Sequence, residues 1–250
     1  VSFPEHAQLE VVYGEIGGVD FEQRTVSVSG HEPLRYDILV IAMGCTDNYH
    51  GITGAAEYSC SIQSLSSTRR TYQQVNDIRP NGQVTIVGGG LSGVEVAAEL
   101  RESRPDLNIR ILDRSGSILN GFPSRLQQYV SSWFNEHDVE MRSHIHITSL
   151  ERGVVHNGAE AIPTDVTVWT AGIQPVELVR KLDLPKDKQG RLIVNEWHEL
   201  PDVPNVYVVG DCASSKFSPS AQLAEAMGKQ VAEVITSRWE GKEPKLARIK

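Results

Sequence analysis

The chain has 250 residues, 40 % of them apolar and 22 % charged, and carries a formal net charge of −8. That length holds one large core or two moderate ones, and two is the expectation here. The acidic balance without a basic tract excludes nucleic acid as an expected partner, and the longest apolar run, near Ile38 to Met43, is too short to span a bilayer.

No secretory pattern opens the chain, and Cys45, Cys60 and Cys212 show no C-x-x-C spacing. A reducing, cytoplasmic setting is expected, with the cysteines as buried small apolar residues and neither a zinc site nor a local disulfide.

Residues 8 to 42 alternate apolar and polar positions in three runs, Leu9 to Ile16, Thr25 to Ser29 and Leu34 to Ala42, joined at Gly17-Gly18 and Gly30-His31. They predict an antiparallel meander. The last run becomes continuously apolar, so that strand is expected to enter a buried sheet and stop at Gly44. Gly51, Gly54 and the polar stretch Ser59 to Ser67 read as a connection between domains, Ser67 to Asp77 as a short helix, and Pro80-Asn81-Gly82 as a turn.

The stretch Gln83 to Leu100 reads as a buried strand, a glycine turn and a helix, the order that dinucleotide sites use. Gly88 permits the tight turn, Gly90 lets a pyrophosphate approach the backbone, and Gly93 lets the helix pack on its strand. The helix start offers free N–H groups and its positive dipole end, with Leu91, Val94 and Ala98 on one apolar stripe. The next strand, Asn108 to Leu112, ends in Asp113, 25 residues after Gly88, where an acid meets the adenosine ribose hydroxyls. This favours NAD(H). Arg114 could accept a 2′-phosphate, which the carboxylate would repel.

Ser124 to Glu136 predicts a helix capped near Ser124 with Leu126, Val130 and Phe134 inward. Short strands are expected at Val139 to Met141, His144 to Leu150, Gly153 to His156 and Asp165 to Thr170. His144 and His146 share a face of the second, but no third ligand lies near, so no metal is expected. Asp165 to Gly172 repeats the pattern of Asp37 to Gly44, which places Ala171 and Gly172 beside a ligand crevice, with Trp169 in the core. Arg191 to Val194 reads as a strand. Pro204 to Asp211 reads as a buried one ending in Gly210 and Asp211 at the carboxyl edge of the sheet. Ser218-Pro219-Ser220 then starts a helix through Ala221, Ala224, Met227, Val231 and Ile235.

Five stretches together resemble the two-dinucleotide-domain flavoproteins of the pyridine nucleotide-disulfide oxidoreductase superfamily, and within them the type II NADH dehydrogenases. These are Tyr36 to Gly44, the G-x-G-x-x-G-x-E turn from Gly88 to Glu95, Thr170 to Gly172, Asn205 to Asp211, and Ser220-Ala221-Gln222. The resemblance implies an α/β, FAD/NAD(P)-binding Rossmann-like fold in three layers, a parallel sheet with a β-meander. It implies a partial FAD domain over 1–60 and 177–250, with an NAD(H) domain over 61–176 inserted. Asp211 would bind the flavin ribityl chain, and N–H groups of Ala221 to Leu223 would face the flavin pyrimidine. Gln222 would lie near flavin and quinone, and Glu95 near the nicotinamide.

The activity implied is hydride transfer from NADH through FAD to quinone, with cofactors carrying the chemistry. Ala226 and Met227, where the family usually has glutamine, leave another acceptor open: a protein, a dithiol or a small molecule. So does a non-enzymatic NADH-binding redox sensor. Taken alone, Asp211 could cap a loop, and Gln222 and Glu95 could simply face water. The chain reads as a piece lacking the ADP-binding glycine motif for FAD and the carboxyl segment that contacts the cytoplasmic face of the membrane, and homo-oligomers remain open.

Overall fold

The apolar run Gln83–Val87 becomes the second strand of a parallel sheet ordered Val166–Trp169, Gln83–Val87, Asn108–Leu112, Val139–Arg142 in the computed structural model, which describes residues 8–246. Strand pleating sorts the side chains by parity. Val84, Ile86, Ile109, Ile111 and Val168 enter one core with Val75, Ala97 and Phe134. Those three come from the helices Leu65–Asn76, Leu91–Ser103 and Ser124–Glu136. Val87, Leu112 and Trp169 turn the other way and pack with Leu150, Val155 and Ile162. These belong to an antiparallel sheet of Ser149–Glu151, Val154–Asn157 and Glu160–Pro163. Helices, parallel sheet and meander thus form three layers.

This body is the continuous segment Thr46–Ile173, and the other unit combines Val1–Cys45 with Gln174–Lys250. The boundaries lie at 45/46 and 173/174 rather than at 60/61 and 176/177. Residues 46–60 belong to the second unit because Ala55 is buried in its core and Cys60 bridges to Val168. Of the expected flavin domain, residues 1–7 and 247–250 lie outside the described residues.

The first unit holds an antiparallel sheet of Ile16–Asp20, Thr25–Val28 and Leu34–Arg35, and a parallel pair of Leu39–Ile41 with Val206–Val208. Its core gathers Ile41, Val179, Leu192, Tyr207, Met227 and Val234, the last two from the helix Ala221–Trp239. Among the described residues no helix is long and apolar enough to cross a membrane.

Several elements differ from expectation. The first strand contains Gly17-Gly18, because the register shifts between Ile16 and Gly18 and glycine tolerates that irregularity. The run Leu34 to Ala42 breaks in two, and its second strand ends at Ile41. His144 adopts φ +58°, so the strand begins only at Ser149 and His144 and His146 share no strand face. Arg191 to Val194 is not a strand; Leu192 makes only isolated bridges, to Lys186 and Ala213. The Ser124–Glu136 helix has Pro123 at its cap position without a side-chain bond. Leu126 and Leu91 are exposed; in the Leu91–Ser103 helix Val94 and Ala98 pack against the core as expected, and Gly93 and Ala97 are buried with them. Cys212 is buried as expected, but Cys45 and Cys60 are only partly so.

Candidate functional site

The segment Thr46–Ile173 folds the glycine stretch into a tight turn between strand and helix. Gly88 has φ +109°, and a Cβ there would meet Thr170 carbonyl atoms at 2.8 Å. A Cβ on Gly93 would overlap the Gly88 carbonyl oxygen and stand 2.8 Å from Thr170 Oγ1. Helix, turn and neighbouring strand are therefore in backbone contact, and only hydrogen fits between them. Gly90 differs: nothing lies within 4 Å of its added Cβ. The open side thus faces the first turn of the Leu91–Ser103 helix, which has no side-chain cap and no acid. N–H groups in that turn lack intrahelical partners, and with the dipole they favour an anion by about 0.3–1 kcal/mol.

Hydrogen bonds fix the turn. The Gly88 N–H donates to Leu112 O at 2.8 Å, and Thr170 Oγ1 donates to Val87 O at 2.8 Å and Gly88 O at 3.0 Å. The Gly89 peptide is held on both sides, its N–H donating to Asp113 Oδ2 at 2.6 Å and its carbonyl accepting from Leu119 N at 2.6 Å. A Cβ on Gly89 would press Ile118 at 2.9 Å. Gly88 and Gly89 leave no room for a side chain, whereas Gly90 meets nothing; the sequence assigned roles to Gly88 and Gly90 and gave none to Gly89.

A cavity of about 600 Å³ opens over this turn. Its lining brings together Gly88, Gly90, Asp113, Ala171 and Gly172, all expected at the site. It also includes Arg114, weighed from sequence beside Asp113, and His50, Ser115, His146 and Trp169, which sequence had placed elsewhere or passed over. Trp169 is a core residue and a wall at once, its indole N–H donating to Asn48 O at 3.0 Å. His50 Nε2 lies 2.8 Å from Ala171 O, and the Gly172 carbonyl accepts from Asn48 N at 2.9 Å, which orders the chain beside the opening. Glu95 stands exposed on the following helical turn and does not line the cavity.

In the other unit, Gly210–Cys212 forms a single 3-10 turn just beyond Val206–Val208. Gly210 has φ +71° and donates its N–H to Met227 Sδ at 3.3 Å. Asp211 is half-buried, and the Cys45 thiol donates to its Oδ2 at 3.3 Å, which joins it to the segment following Gly44. Ala221 and Gln222 are exposed in the first turn of the Ala221–Trp239 helix. Ser220 Oγ accepts the Leu223 N–H at 3.1 Å, so Leu223 is not among the free donors as expected; Ala221 and Gln222 are. Burial pushes the Cys60 and Cys212 thiols up, which works against a thiolate nucleophile at either.

The family model for pyridine nucleotide-disulphide oxidoreductases matches residues 4–230. The chain belongs to that family. It is 50 % identical over 241 residues to the NADH dehydrogenase-like protein YutJ of Bacillus subtilis (strain 168), covering 96 % of this chain and 68 % of that protein. Identity is 26 % over 236 residues with the mitochondrial internal alternative NAD(P)H-ubiquinone oxidoreductase A1 of Arabidopsis thaliana, covering 81 % of this chain and 46 % of the plant protein. Reduced Bacillus anthracis CoADR-RHD superposes with a TM-score of 0.79 at 22 % identity, over 93 % of this chain and 44 % of that one. NDH2 from Plasmodium falciparum in complex with NADH gives 0.69 at 19 %, over 80 % and 49 %. These two likenesses establish the shared fold. The chain spans about half the length of the plant relative and of both solved structures.

Proposed function

We propose that the whole protein is a flavin-dependent NADH:acceptor oxidoreductase in which the Thr46–Ile173 unit binds NADH and the other unit contributes to an FAD site. The observation that carries this is the open space above Gly90, at an uncapped helix start and in one cavity with Asp113. A diphosphate would rest on the Gly90 backbone and the adjoining N–H groups, and Asp113 would accept from the adenosine ribose. Ala171 and Gly172, small and ordered through His50 and Asn48, would leave room for the nicotinamide end.

In the other unit the residues suit a flavin. Asp211, at a strand's carboxyl end, would accept from a ribityl hydroxyl, and the Ala221 and Gln222 N–H groups with the helix dipole would favour negative charge on the ring. Gly44 and Gly210 keep bulk away from that chain. When bound, FAD supplies the redox centre that takes up a hydride from NADH and releases electrons to the acceptor. The plant relative, named for ubiquinone, supports quinone as acceptor, and contact with a membrane surface is part of the same proposal. We assign Glu95 to positioning the nicotinamide and Gln222 to the acceptor side of the flavin.

A second reading keeps the hydride donor and changes the acceptor. Met227 is buried and its sulfur serves the Gly210 turn, and the half-buried Ala226 precedes it. Neither supplies the amide that the quinone reading expects. One experiment separates the cases: purified full-length protein is assayed for flavin absorbance and for NADH oxidation with a soluble quinone, ferricyanide and a dithiol acceptor. Flavin-dependent turnover with quinone is expected. Turnover with another acceptor alone favours the second reading, bound NADH without flavin points to a sensor, and no NADH uptake by folded protein rejects the assignment.

A further inference from the structure

The strand order of the parallel sheet fixes what stands side by side at its carboxyl edge. With Val166–Trp169, Gln83–Val87 and Asn108–Leu112 as successive neighbours, the glycine turn lies between Thr170–Gly172 on one side and Asp113 on the other. A dinucleotide with its adenosine ribose at Asp113 and its diphosphate on the glycine turn therefore brings its nicotinamide end to Ala171 and Gly172. His50 lines the cavity together with those two residues.

The imidazole is set against this end. Its Nε2 lies 2.8 Å from Ala171 O, and a carbonyl only accepts, so Nε2 carries the hydrogen and the lone pair of the neutral ring stands on Nδ1. Gly172 leaves the ring its place: an added Cβ there would stand 3.0 Å from His50 Nε2 and 3.4 Å from Cε1. The His50 N–H donates to Asn48 Oδ1 at 2.9 Å, and the Asn48 N–H donates to Gly172 O at 2.9 Å, which holds the His50 backbone at φ +51°. Glycine would adopt that left-handed conformation at lower cost, so the backbone does not account for the imidazole. Among the described residues no group forms a hydrogen bond with Nδ1, and the side chain is exposed.

Resting on the nucleotide reading above, we propose that His50 orients the nicotinamide: its Nε2–H fixes the Ala171 carbonyl, and its Nδ1 lone pair accepts an N–H of the carboxamide. The carboxamide supplies such donors at that end of the coenzyme. One imidazole thus ties the wall of the cavity to the orientation of the ring that gives up the hydride.

Calorimetric titration of the full-length protein with NADH and with ADP-ribose, which keeps the adenosine and the diphosphate but has no nicotinamide, tests this on wild type, His50→Ala and His50→Gln. His50→Ala is expected to weaken NADH about fivefold or more while ADP-ribose stays within about twofold. His50→Gln, whose amide supplies both an N–H for Ala171 O and an acceptor in place of Nδ1, should recover part of the loss. Because His50 is exposed, these substitutions leave the buried cores untouched, and ADP-ribose binding reports that the glycine turn is intact. The proposal is overturned if His50→Ala leaves NADH within about twofold of wild type, or if it weakens both ligands alike, as a purely structural clasp on Ala171 would. Either result with ADP-ribose still bound by wild type removes only this inference; absence of NADH and ADP-ribose binding by folded wild type removes the nucleotide site as well.

Discussion

Gly93 tolerates no side chain. Its hydrogen faces the Gly88 carbonyl, and that carbonyl is fixed by Thr170 Oγ1 while the Gly88 N–H is fixed by Leu112. Gly93→Ala is therefore expected to cost about 1–3 kcal/mol and to weaken NADH binding, since the helix start must move off the turn. Thermal melting and titration on the purified variant check both, and an unchanged melting point would remove the close-packing role. Asp113→Arg removes the acceptor of the Gly89 and Ser115 donors and adds a second cation beside Arg114. A shift of preference toward NADPH is expected, and an unchanged ratio would count against a ribose contact. His198 is expected to make stability depend on pH. It is buried, its Nδ1 has no hydrogen-bond partner among the described residues, and burial holds its pKa below the ordinary value of 6.5. Below that value the unfolded chain takes up a proton before the folded one does, so stability is full above it and falls as pH drops toward the folded pKa. His198→Asn, which suits the residue's φ of +60°, is expected to flatten the fall in melting temperature between pH 7.5 and 5.5. A profile as steep as wild type would show that another group carries it.

At the scale of elements, the Ala221–Trp239 helix begins at a serine cap, with Ser220 Oγ receiving Leu223 N. Ser220→Ala should cost about 1 kcal/mol and lower the melting temperature by about 2–4 °C, and a change below one degree would show the cap to be idle. This helix, the Gln83–Val87 strand and the Leu91–Ser103 helix were legible because start signal, periodicity and turn chemistry agreed in each. Legibility failed where one local cue had two readings. Gly17-Gly18 looks like a turn and is an irregular strand, because pairing with Thr25–Val28 decides it. Leu91 sits in phase with Val94 and Ala98, yet Gly93 and Ala97 face the sheet; close backbone approach, which an apolar count ignores, sets that rotation. The glycines and Asp113 could be read as a site, since each has a backbone or charge reason visible in spacing. His50 and His146 could not, because they reach the cavity from loops whose paths depend on contacts far along the chain.

For the molecule as a whole, each unit owns its core. Among the described residues, the cores around Ile86 and Trp169 draw only on Thr46–Ile173, and the core around Tyr207 draws only on the flanking segments. The second unit is continuous and contains its complete four-stranded sheet, its helices and the cavity. Expressed alone, residues 46–173 are expected to unfold cooperatively and to bind NADH within about tenfold of the full-length protein. Circular dichroism melts and titration would decide, a broad non-cooperative melt being the adverse result. The doubly held Gly89 peptide bears on how such a protein can diversify. Both ends of the Asp113 to Leu119 bend are clasped to Gly89 of the glycine turn, and between them Ser115, Ser117 and Ile118 are held by hydrogen bonds or the core, so Arg114 and Gly116 are the exposed positions that can vary while the bend keeps its path. A side chain at either position can then be exchanged without disturbing the glycine turn, whereas a change in the length of that bend would spring both clasps together.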